Sequence, residues 1–328
     1  MTVQLTDPHG RTINYLRLSV TDRCNMRCFY CMPKEGVVKK GHEAVLSYEE
    51  LMLIAESAVG LGIEKIRITG GEPLVRAGVV DFLGKLSGIP GLRHLALTTN
   101  GLLLEEMAAD LYKAGVQRLN VSLDSLNPLT FSNITRGGDL NKVLAGLEAA
   151  EFVGFHPPKI NCVIMRGVND SEILDFADMT LSHGNSIRFI EYMPAVKEDD
   201  WQRYCISGEE ILERIAGRYT LEQVDKGPFS GPSRDFRIPG ARGSIGIITA
   251  VSGHFCSECN RIRVTSTGQA KGCLFSDAKT DLIPWLRPPD QKGLAEGLKR
   301  IVSTKPERHD ISQDGFTHKN FTMSQVGG

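Results

Sequence analysis

The stretch Arg23-Cys-Asn-Met-Arg-Cys-Phe-Tyr-Cys-Met-Pro33 places Cys24, Cys28 and Cys31 within eight residues. Three thiolates are one ligand short of the four that close a structural zinc site. On an iron–sulfur cubane, three protein thiolates leave one iron able to bind a small molecule directly. The C-x3-C-x2-C spacing fits neither the bacterial nor the plant-type ferredoxin pattern, which argues against a simple electron carrier. The stretch therefore predicts an open iron–sulfur site.

Two other interpretations of these cysteines remain. They could form half of a zinc site that a distant His or Cys completes. A disulfide framework is less favoured, because the chain has only eight cysteines in 328 residues and no apolar signal segment precedes them. In a reducing compartment, cysteines are more naturally metal ligands or buried thiols than cross-links.

Composition describes an ordinary soluble globular protein, with 41% hydrophobic and 23% charged residues. No apolar run approaches the roughly 18 residues that span a bilayer, so we expect a cytoplasmic protein without a membrane partner. The net charge of −1 gives no basic field to hold a nucleic-acid polymer.

Short β-rich runs alternate with helical patterns over the first two thirds of the chain, which predicts βα units around a parallel sheet. The first strand, at residues 15–20, leads directly into the cysteine loop, and Ser47 with Glu50 forms a capping box that begins the first helix. Further strands are predicted at 65–69, 94–99, 118–123, 159–165 and 186–190, and further helices at 79–86, 104–114, 140–153 and 171–182. Six repeats are fewer than the eight of a closed barrel, which leaves an open barrel or an open sheet.

The pattern changes after about Tyr219. Residues 226–233 form a Gly/Pro/Ser stretch of loop character, and we predict a boundary between a domain at 1–220 and a smaller one at 221–328. The runs 245–251, 261–265 and 269–274, the last two joined by a turn at Ser266-Thr-Gly268, predict an antiparallel portion.

A second cysteine set lies in this region: Cys256, Cys259 and Cys273, spaced C-x2-C-x13-C. A Cys3His zinc site that uses His254 is one interpretation. The first motif favours a second open iron–sulfur cluster instead. Cys162 and Cys205 fit no ligand spacing, and we interpret both as buried or inert thiols.

Gly70-Gly-Glu-Pro73 directly follows the second predicted strand. A glycine pair after a strand is usually a tight turn. The order strand, cysteine loop, helix, strand, Gly-Gly-Glu-Pro, with Tyr30 before the last cysteine, resembles the radical S-adenosylmethionine (SAM) superfamily. In that superfamily the open iron chelates SAM and this loop packs on its methionyl part. Glycine permits a close backbone approach, and Glu72 offers an acceptor near the ammonium group.

Basic residues recur in the predicted strands. Arg17 and Arg67 interrupt apolar runs, where a charge is costly unless it is paired or faces a cavity. Taken singly, each would be read as solvated surface. The other basic residues in the predicted strands are Lys159, Arg188, Arg261 and Arg263. Arginine suits a polyphosphate, because its guanidinium stays charged and binds oxygens in pairs.

Several motifs together resemble one family, the GTP 3′,8-cyclases of molybdenum cofactor biosynthesis. They are Leu16-Arg-Leu-Ser-Val-Thr-Asp-Arg-Cys24, Thr98-Thr-Asn-Gly101, Asn120-Val-Ser-Leu-Asp124, Asn260-Arg-Ile-Arg263 between the second-set cysteines, and the final Gly327-Gly328. The resemblance spans nearly the whole chain. It implies an α/β fold, an open (partial) (β/α)6 TIM-like barrel with a smaller C-terminal domain containing antiparallel β-strands.

The resemblance also implies site roles. Cys24, Cys28 and Cys31 would hold one 4Fe-4S cluster, and Cys256, Cys259 and Cys273 a second whose open iron contacts the guanine. SAM would lie near Tyr30, Gly71, Glu72, Ser122 and Met193. GTP would be bound by Arg17, Arg67, Thr98, Lys159, Arg188, Arg261, Ile262 and Arg263. Catalytic roles fall to Arg17, Arg261, Arg263, Gly327 and Gly328, since the narrow tail is predicted to reach the active site and support the radical step.

The implied reaction is a lyase reaction. A 5′-deoxyadenosyl radical takes a hydrogen from C3′ of GTP, the sugar radical adds to C8, and reduction gives 3′,8-cyclo-7,8-dihydro-GTP. The implied partners are an electron donor such as a flavodoxin or ferredoxin, a downstream cyclic pyranopterin synthase and a second copy of the chain in a homodimer. The alternatives are another radical SAM enzyme with an auxiliary cluster, such as a peptide maturase, and a non-catalytic iron–sulfur or zinc protein.

Overall fold

The computed structural model describes residues 4–37, 41–193, 200–225, 231–253, 255–309, 311 and 322–327. Its strands are β1 Tyr15–Ser19, β2 Lys65–Thr69, β3 His94–Thr99, β4 Arg118–Ser122, β5 Lys159–Ile164, β6 Ser186–Glu191, β7 Glu222–Val224, β8 Arg234–Arg237, β9 Ser244–Ile248, β10 Arg261–Val264, β11 Gln269–Lys271 and β12 Thr280–Asp281. Its α-helices are α1 Tyr48–Gly60, α2 Val79–Ser87, α3 Leu104–Lys113, α4 Pro128–Thr135, α5 Leu140–Phe152, α6 Ile173–Ser182, α7 Gly208–Ala216, α8 Ile283–Leu286, α9 Gln291–Ser303 and α10 Met323–Val326.

The strands form one open sheet. In the described chain its order is β12-β11-β10-β1-β2-β3-β4-β5-β6-β9-β8-β7. The strands from β10 through β1–β6 to β9 run parallel, and antiparallel hairpins extend both edges. The predicted α/β class with an open parallel arrangement and C-terminal antiparallel strands is therefore confirmed.

The parallel part of the sheet is wider than the six predicted repeats. β9 pairs in parallel with β6, and β10 pairs in parallel with β1, so strands from the C-terminal region flank the six on either side. The predicted antiparallel character holds only for their other neighbours, β8 and β11. Strand pairing between residues 246 positions apart leaves no local pattern in the sequence. The division at 220 stays a prediction.

Local sequence explains how the elements begin. At α1 the Ser47 side chain accepts from the Glu50 amide at 3.2 Å, and the Glu50 carboxylate accepts from the Ser47 amide at 2.7 Å. The predicted capping box is thus confirmed, and it satisfies amides that the first helical turn leaves unpaired. Helix α4 was not predicted, although Asn127 caps it and Pro128 occupies its first position.

Strand alternation separates a core face from a cavity face. In β1, Leu16 and Leu18 are fully buried in the core beneath the helices, whereas Arg17 points the other way, into a cavity. None of the helices in the described ranges has the length and apolarity needed to cross a membrane.

Candidate active site

One cavity of about 320 Å³ lies on the concave face of the sheet. Side chains from all eight parallel strands line it, so the sheet curves around it. Most of the sequence-predicted site residues meet there: Arg17, Cys24, Cys28, Tyr30, Cys31, Arg67, Gly71, Thr98, Ser122, Lys159, Arg188, Met193, Cys256, Cys259, Arg261, Arg263 and Cys273.

The two cysteine sets lie at opposite ends of this cavity. Cys24 follows the carboxyl end of β1, whereas Cys259 precedes the amino end of β10, which runs parallel to β1. Cys273 follows β11, and the antiparallel pairing of Lys271 with Arg263 brings it back to that same amino end. Topology alone therefore separates the first set from the second, with the inward-facing strand residues between them.

The first cysteine set suits a cluster rather than bare thiolates. All three thiols are free, and burial raises the pKa of Cys24, raises that of Cys28 well above its usual value, and raises that of Cys31 to about 12. A positively charged iron centre would compensate thiolates in such a place. The Cys24 Sγ also accepts from the Met26 amide at 3.4 Å and from Asn100 Nδ2 at 3.7 Å.

A cubane and a single metal ion make different demands on ligand geometry. Within the described ranges, no three His, Cys, Asp or Glu side chains are grouped to hold one metal ion. A cubane binds its thiolates at separate iron corners and so needs them further apart. His254, the fourth ligand in the zinc interpretation, lies outside the described residues.

The Gly-Gly-Glu-Pro loop packs directly on the cysteine loop. The Gly71 amide donates to the Thr21 carbonyl and the Glu72 amide to the Arg23 carbonyl, both at 2.8 Å. A Cβ on Gly71 would lie 2.4 Å from the Arg23 carbonyl oxygen, so only glycine fits this approach. The loop thereby fixes the backbone that carries Cys24.

Glu72 lies behind the cavity wall rather than in it. Its carboxylate accepts from the Asn100 amide at 2.6 Å, the Thr99 hydroxyl at 2.8 Å and the Leu74 amide at 3.0 Å. Burial raises its pKa to about 7 despite these donors. In this structure Glu72 holds the loop that carries Asn100, and its contact with the ammonium group of SAM stays a prediction.

Asp124 is a residue that sequence reasoning missed. The Tyr30 hydroxyl donates to its Oδ2 at 2.7 Å and the Val163 amide to its Oδ1 at 2.9 Å. Burial raises the pKa of Asp124 to about 6. Asp124 therefore orients Tyr30 beside the first cysteine set. It ends the quoted motif 120–124 and shares strand parity with Ser122, which was the available signal.

Rows of basic and polar side chains cross the middle of the cavity. The strand register aligns Arg263, Arg17 and Arg67 in one row, and Arg261, Tyr15 and Lys65 in the next row toward the amino ends. A third row aligns Thr98, Asn120 and Lys159. Tyr15 and Lys65 were missed, although each lies two residues before a predicted arginine and so on the same face.

Several side chains in these rows have shifted pKa values. Burial lowers the pKa of Arg17 to about 9, of Lys65 to about 8 and of Lys159 to about 7. Burial would raise the pKa of Tyr15, but Arg67, Arg17 and Lys65 outweigh it and bring the value to about 7. Buried cations in such excess fit a polyanion, since charges removed from water need partners.

Unpaired polar atoms point to a ligand at the same place. Arg188 Nε and Asn120 Oδ1 are buried and have no hydrogen-bond partner within the described ranges. Both residues line the cavity. Buried polar atoms are normally paired, so these two fit a ligand with polar groups.

The second cysteine set has a basic neighbourhood. Burial would raise the pKa of Cys259, but Arg261 and Lys305 outweigh it and lower the value to about 6. Burial raises the pKa of Cys256, as for the first set. Lys305 was not predicted from the sequence, because it lies 46 residues beyond Cys259, in the segment after α9.

The described part of the tail enters the cavity region. The Met323 amide donates to the Cys31 carbonyl at 3.2 Å, and Arg17 donates to the Gly327 carbonyl at 3.1 Å. Gly327 has φ of 79°, and an added Cβ would lie 2.7 Å from Thr69 Oγ1. Gly328 lies outside the described residues.

Ile262 does not face the cavity. Its side chain is buried in the core between Arg261 and Arg263, which point inward on either side of it. The alternation of a strand gives this result directly. Cys162 is fully buried and Cys205 half-buried, and neither lines the cavity.

Family models match two consecutive parts of the chain. Residues 18–180 match the radical SAM superfamily, and residues 185–311 match Molybdenum Cofactor Synthesis C. The structure is similar to that of Streptococcus suis SuiB bound to S-adenosylmethionine, with a TM-score of 0.59 at 14% identity over 88% of this chain and 69% of that one. This likeness shows the fold alone.

Full-length relatives give the closer relationship. A GTP 3′,8-cyclase of Geobacter sulfurreducens is 61% identical over 99% of this chain and 100% of that one. A GTP 3′,8-cyclase of Alkaliphilus oremlandii is 45% identical over the same shares. The chain therefore belongs to the GTP 3′,8-cyclase family of radical SAM enzymes, which act in molybdenum cofactor biosynthesis.

Proposed function

We propose that this chain converts GTP to (8S)-3′,8-cyclo-7,8-dihydro-GTP with SAM as the radical source. The observation that carries the proposal is the order of groups along one cavity: a three-cysteine set, rows of cations, and a second three-cysteine set. The first end suits SAM, the middle suits a triphosphate, and the second end suits the base. One nucleotide can then be held at two points.

At the carboxyl end, Cys24, Cys28 and Cys31 would hold a 4Fe-4S cluster that, with SAM bound, supplies a 5′-deoxyadenosyl radical. The chain's own residues orient this end. Asp124 fixes Tyr30, and Gly71 brings its loop against the cysteine backbone. Ser122 and Met193 line the wall beside them. We propose that these residues bind SAM.

At the amino end, Cys256, Cys259 and Cys273 would hold a second 4Fe-4S cluster with an open iron for the guanine. Arg17, Arg67 and Lys159 would bind the phosphates, with Arg188, Arg261 and Arg263 beside them. Fixing both ends restricts the motion of the ribose between them. A new bond between C3′ and C8 requires this orientation.

The proposal also covers the partner proteins, the oligomeric state and the cellular location. We propose a flavodoxin- or ferredoxin-type electron donor, a cyclic pyranopterin synthase that takes the product, a homodimer and a cytoplasmic location. A peptide maturase is the second candidate class. The cations in the cavity favour the nucleotide, since a peptide substrate brings no comparable negative charge.

Anaerobic reconstitution with iron and sulfide tests the proposal. The protein is reduced, given SAM and one nucleotide, and assayed for 5′-deoxyadenosine and the cyclic product. We expect GTP to stimulate 5′-deoxyadenosine formation and to yield the cyclic nucleotide. Equal stimulation by ATP and GTP, without cyclic product, would contradict it.

Binding of GTP should take up a proton at Lys159. Its pKa of about 7 reflects burial, with Arg188 as a further cause, and an adjacent phosphate would raise it. Below pH 7 the side chain is charged in both states and its effect on affinity is constant. Above pH 7 the free state loses its proton, so affinity falls as pH rises.

Calorimetry at pH 8 in buffers of different ionisation enthalpy measures this uptake. We expect the parent to take up about one proton more than K159R, because arginine stays charged throughout. K113R, at an exposed lysine of α3, is the control and should match the parent. Equal uptake by K159R and the parent would refute the assignment.

Removing Gly327 and Gly328 should strongly reduce cyclisation. Arg17 donates to the Gly327 carbonyl, so the tail sets the position of an arginine that we propose binds the phosphates. G327A should act in the same direction, because of its positive φ and its approach to Thr69. The matched control is G240A, which has φ of 80° and open space around it. Full cyclisation by the truncated chain would contradict a role for the tail in the reaction.

A further inference from the structure

We propose that Lys305 is a positioning residue of the second cysteine set, joining its two segments and raising the reduction potential of the cluster that they hold. This inference rests on the proposed second cluster. It concerns a residue of the segment after α9, outside both cysteine motifs.

The hydrogen bonds of Lys305 define a clamp. Its Nζ donates to the Gly272 carbonyl at 2.6 Å, the Arg261 carbonyl at 3.0 Å and Cys259 Sγ at 3.3 Å. An ammonium has three donors, and all three are used. Gly272 directly precedes Cys273, and Arg261 lies two residues after Cys259. One side chain thus ties together the two segments that present these cysteines.

Packing holds the clamp in place. Lys305 is 3% exposed. A Cβ on Gly272 would lie 3.2 Å from the Lys305 Cα, so the backbone of the two segments is in close contact there. The side chain therefore reaches Cys259 without freedom to swing away, which a solvent-exposed lysine would have.

A neighbouring arginine anchors the same segment to the third cysteine. Arg11 donates to the Cys256 carbonyl at 2.7 Å, the Pro306 carbonyl at 2.6 Å and the Glu307 carbonyl at 2.8 Å. It is fixed in turn by Asp7 at 2.6 Å. Residues 305–307 are therefore linked to the second set directly through the Lys305 side chain and, through Arg11, to the Cys256 carbonyl. Arg11 meets a carbonyl, whereas Lys305 brings a positive charge to the Cys259 thiolate, beside that of Arg261.

The positive charge of Lys305 also bears on the reduction potential of the cluster. Hydrogen bonds to ligand sulfurs and net charge tune the potentials of iron–sulfur clusters. A cation in contact with a ligand sulfur favours the more negative, reduced form. Replacing Lys305 by a neutral residue should therefore make the second cluster harder to reduce.

The experiment uses the full chain carrying C24A, C28A and C31A, so that only the second site can be observed. After reconstitution we expect about four irons per chain in this parent. Its midpoint potential is measured by redox titration with electron paramagnetic resonance, and cluster loss by chelator challenge. Variants K305M, K305Q and K305R are compared with K299M, an exposed lysine of the neighbouring helix α9.

We expect K305M and K305Q to shift the potential to more negative values and to lose iron several-fold faster than the parent. K305R should keep a potential close to the parental value, since it keeps the charge, and K299M should be unchanged. If K305M does not fold, the midpoint potential of K305Q provides the test. Parental potentials in K305M or K305Q would overturn the role of Lys305. A parent without iron would overturn the second cluster itself, and this inference with it.

Discussion

Replacing Gly71 with alanine should slow SAM cleavage by about 10²-fold or more while leaving the chain folded. The added Cβ would lie 2.4 Å from the Arg23 carbonyl oxygen, 2.7 Å from the Arg23 carbonyl carbon and 2.9 Å from the Asp22 carbonyl oxygen. These are backbone atoms, which cannot rotate away as a side chain can. The cysteine loop must therefore move, and Cys24 with it.

The readouts are 5′-deoxyadenosine formation and the iron content of the first site. G84A is the matched control, because a Cβ there meets nothing within 4 Å and the position lies within helix α2. Alanine in a helix interior should raise the free energy of unfolding slightly. Normal SAM cleavage by G71A would show that the close approach of the two loops is not needed.

Replacing Cys259 with alanine should abolish the cyclic product while SAM cleavage continues. Cys259 lies at the amino end of the cavity, away from the first cysteine set, and contacts Lys305 at 3.3 Å. Its loss would remove a ligand of the proposed second cluster and leave Arg261 and Lys305 without their anionic partner. The radical source would remain, but its target would be held at one end only.

Iron per chain should fall by about half in C259A. C205A is the control, since that thiol is free, half-buried and away from the cavity lining, and it should keep full iron and full activity. Cyclic product from C259A at the parental rate would contradict a role for the second set in holding GTP.

Local patterns carried the prediction of the elements and of the first site. The capping box at Ser47 and the period-two runs that contain Arg17 and Arg67 depend on neighbouring residues, so the sequence displays them directly. The cysteine spacing is local as well. These features reappear in the structure where the sequence predicted them.

Contacts between distant segments could not be predicted in this way. The pairing of β10 with β1 depends on the whole fold. So does the clamp of Lys305 on Cys259, which joins residues with no common motif. Glu72 is a further example, since the Thr99 hydroxyl and the Asn100 amide, 27 and 28 residues further along the chain, donate to its carboxylate.

Ile262 and Lys65 show what strand parity adds. Ile262 lies between two cavity-facing arginines and is therefore on the core face, whereas Lys65 shares the face of Arg67. Parity alone assigns both residues once the strands are accepted. Asp124 follows from the same reasoning, since it continues the face of Ser122 past the end of β4.

The most direct test of the account uses GTP deuterated at C3′. The reconstituted, reduced protein is given this substrate with SAM, and the mass of the 5′-deoxyadenosine is measured. If the cavity holds the ribose toward the first cysteine set while Arg17 and its neighbours bind the phosphates, one deuterium should appear in 5′-deoxyadenosine and the cyclic product should lack it. Unlabelled 5′-deoxyadenosine, formed together with a product that retains the deuterium, would contradict the proposed arrangement.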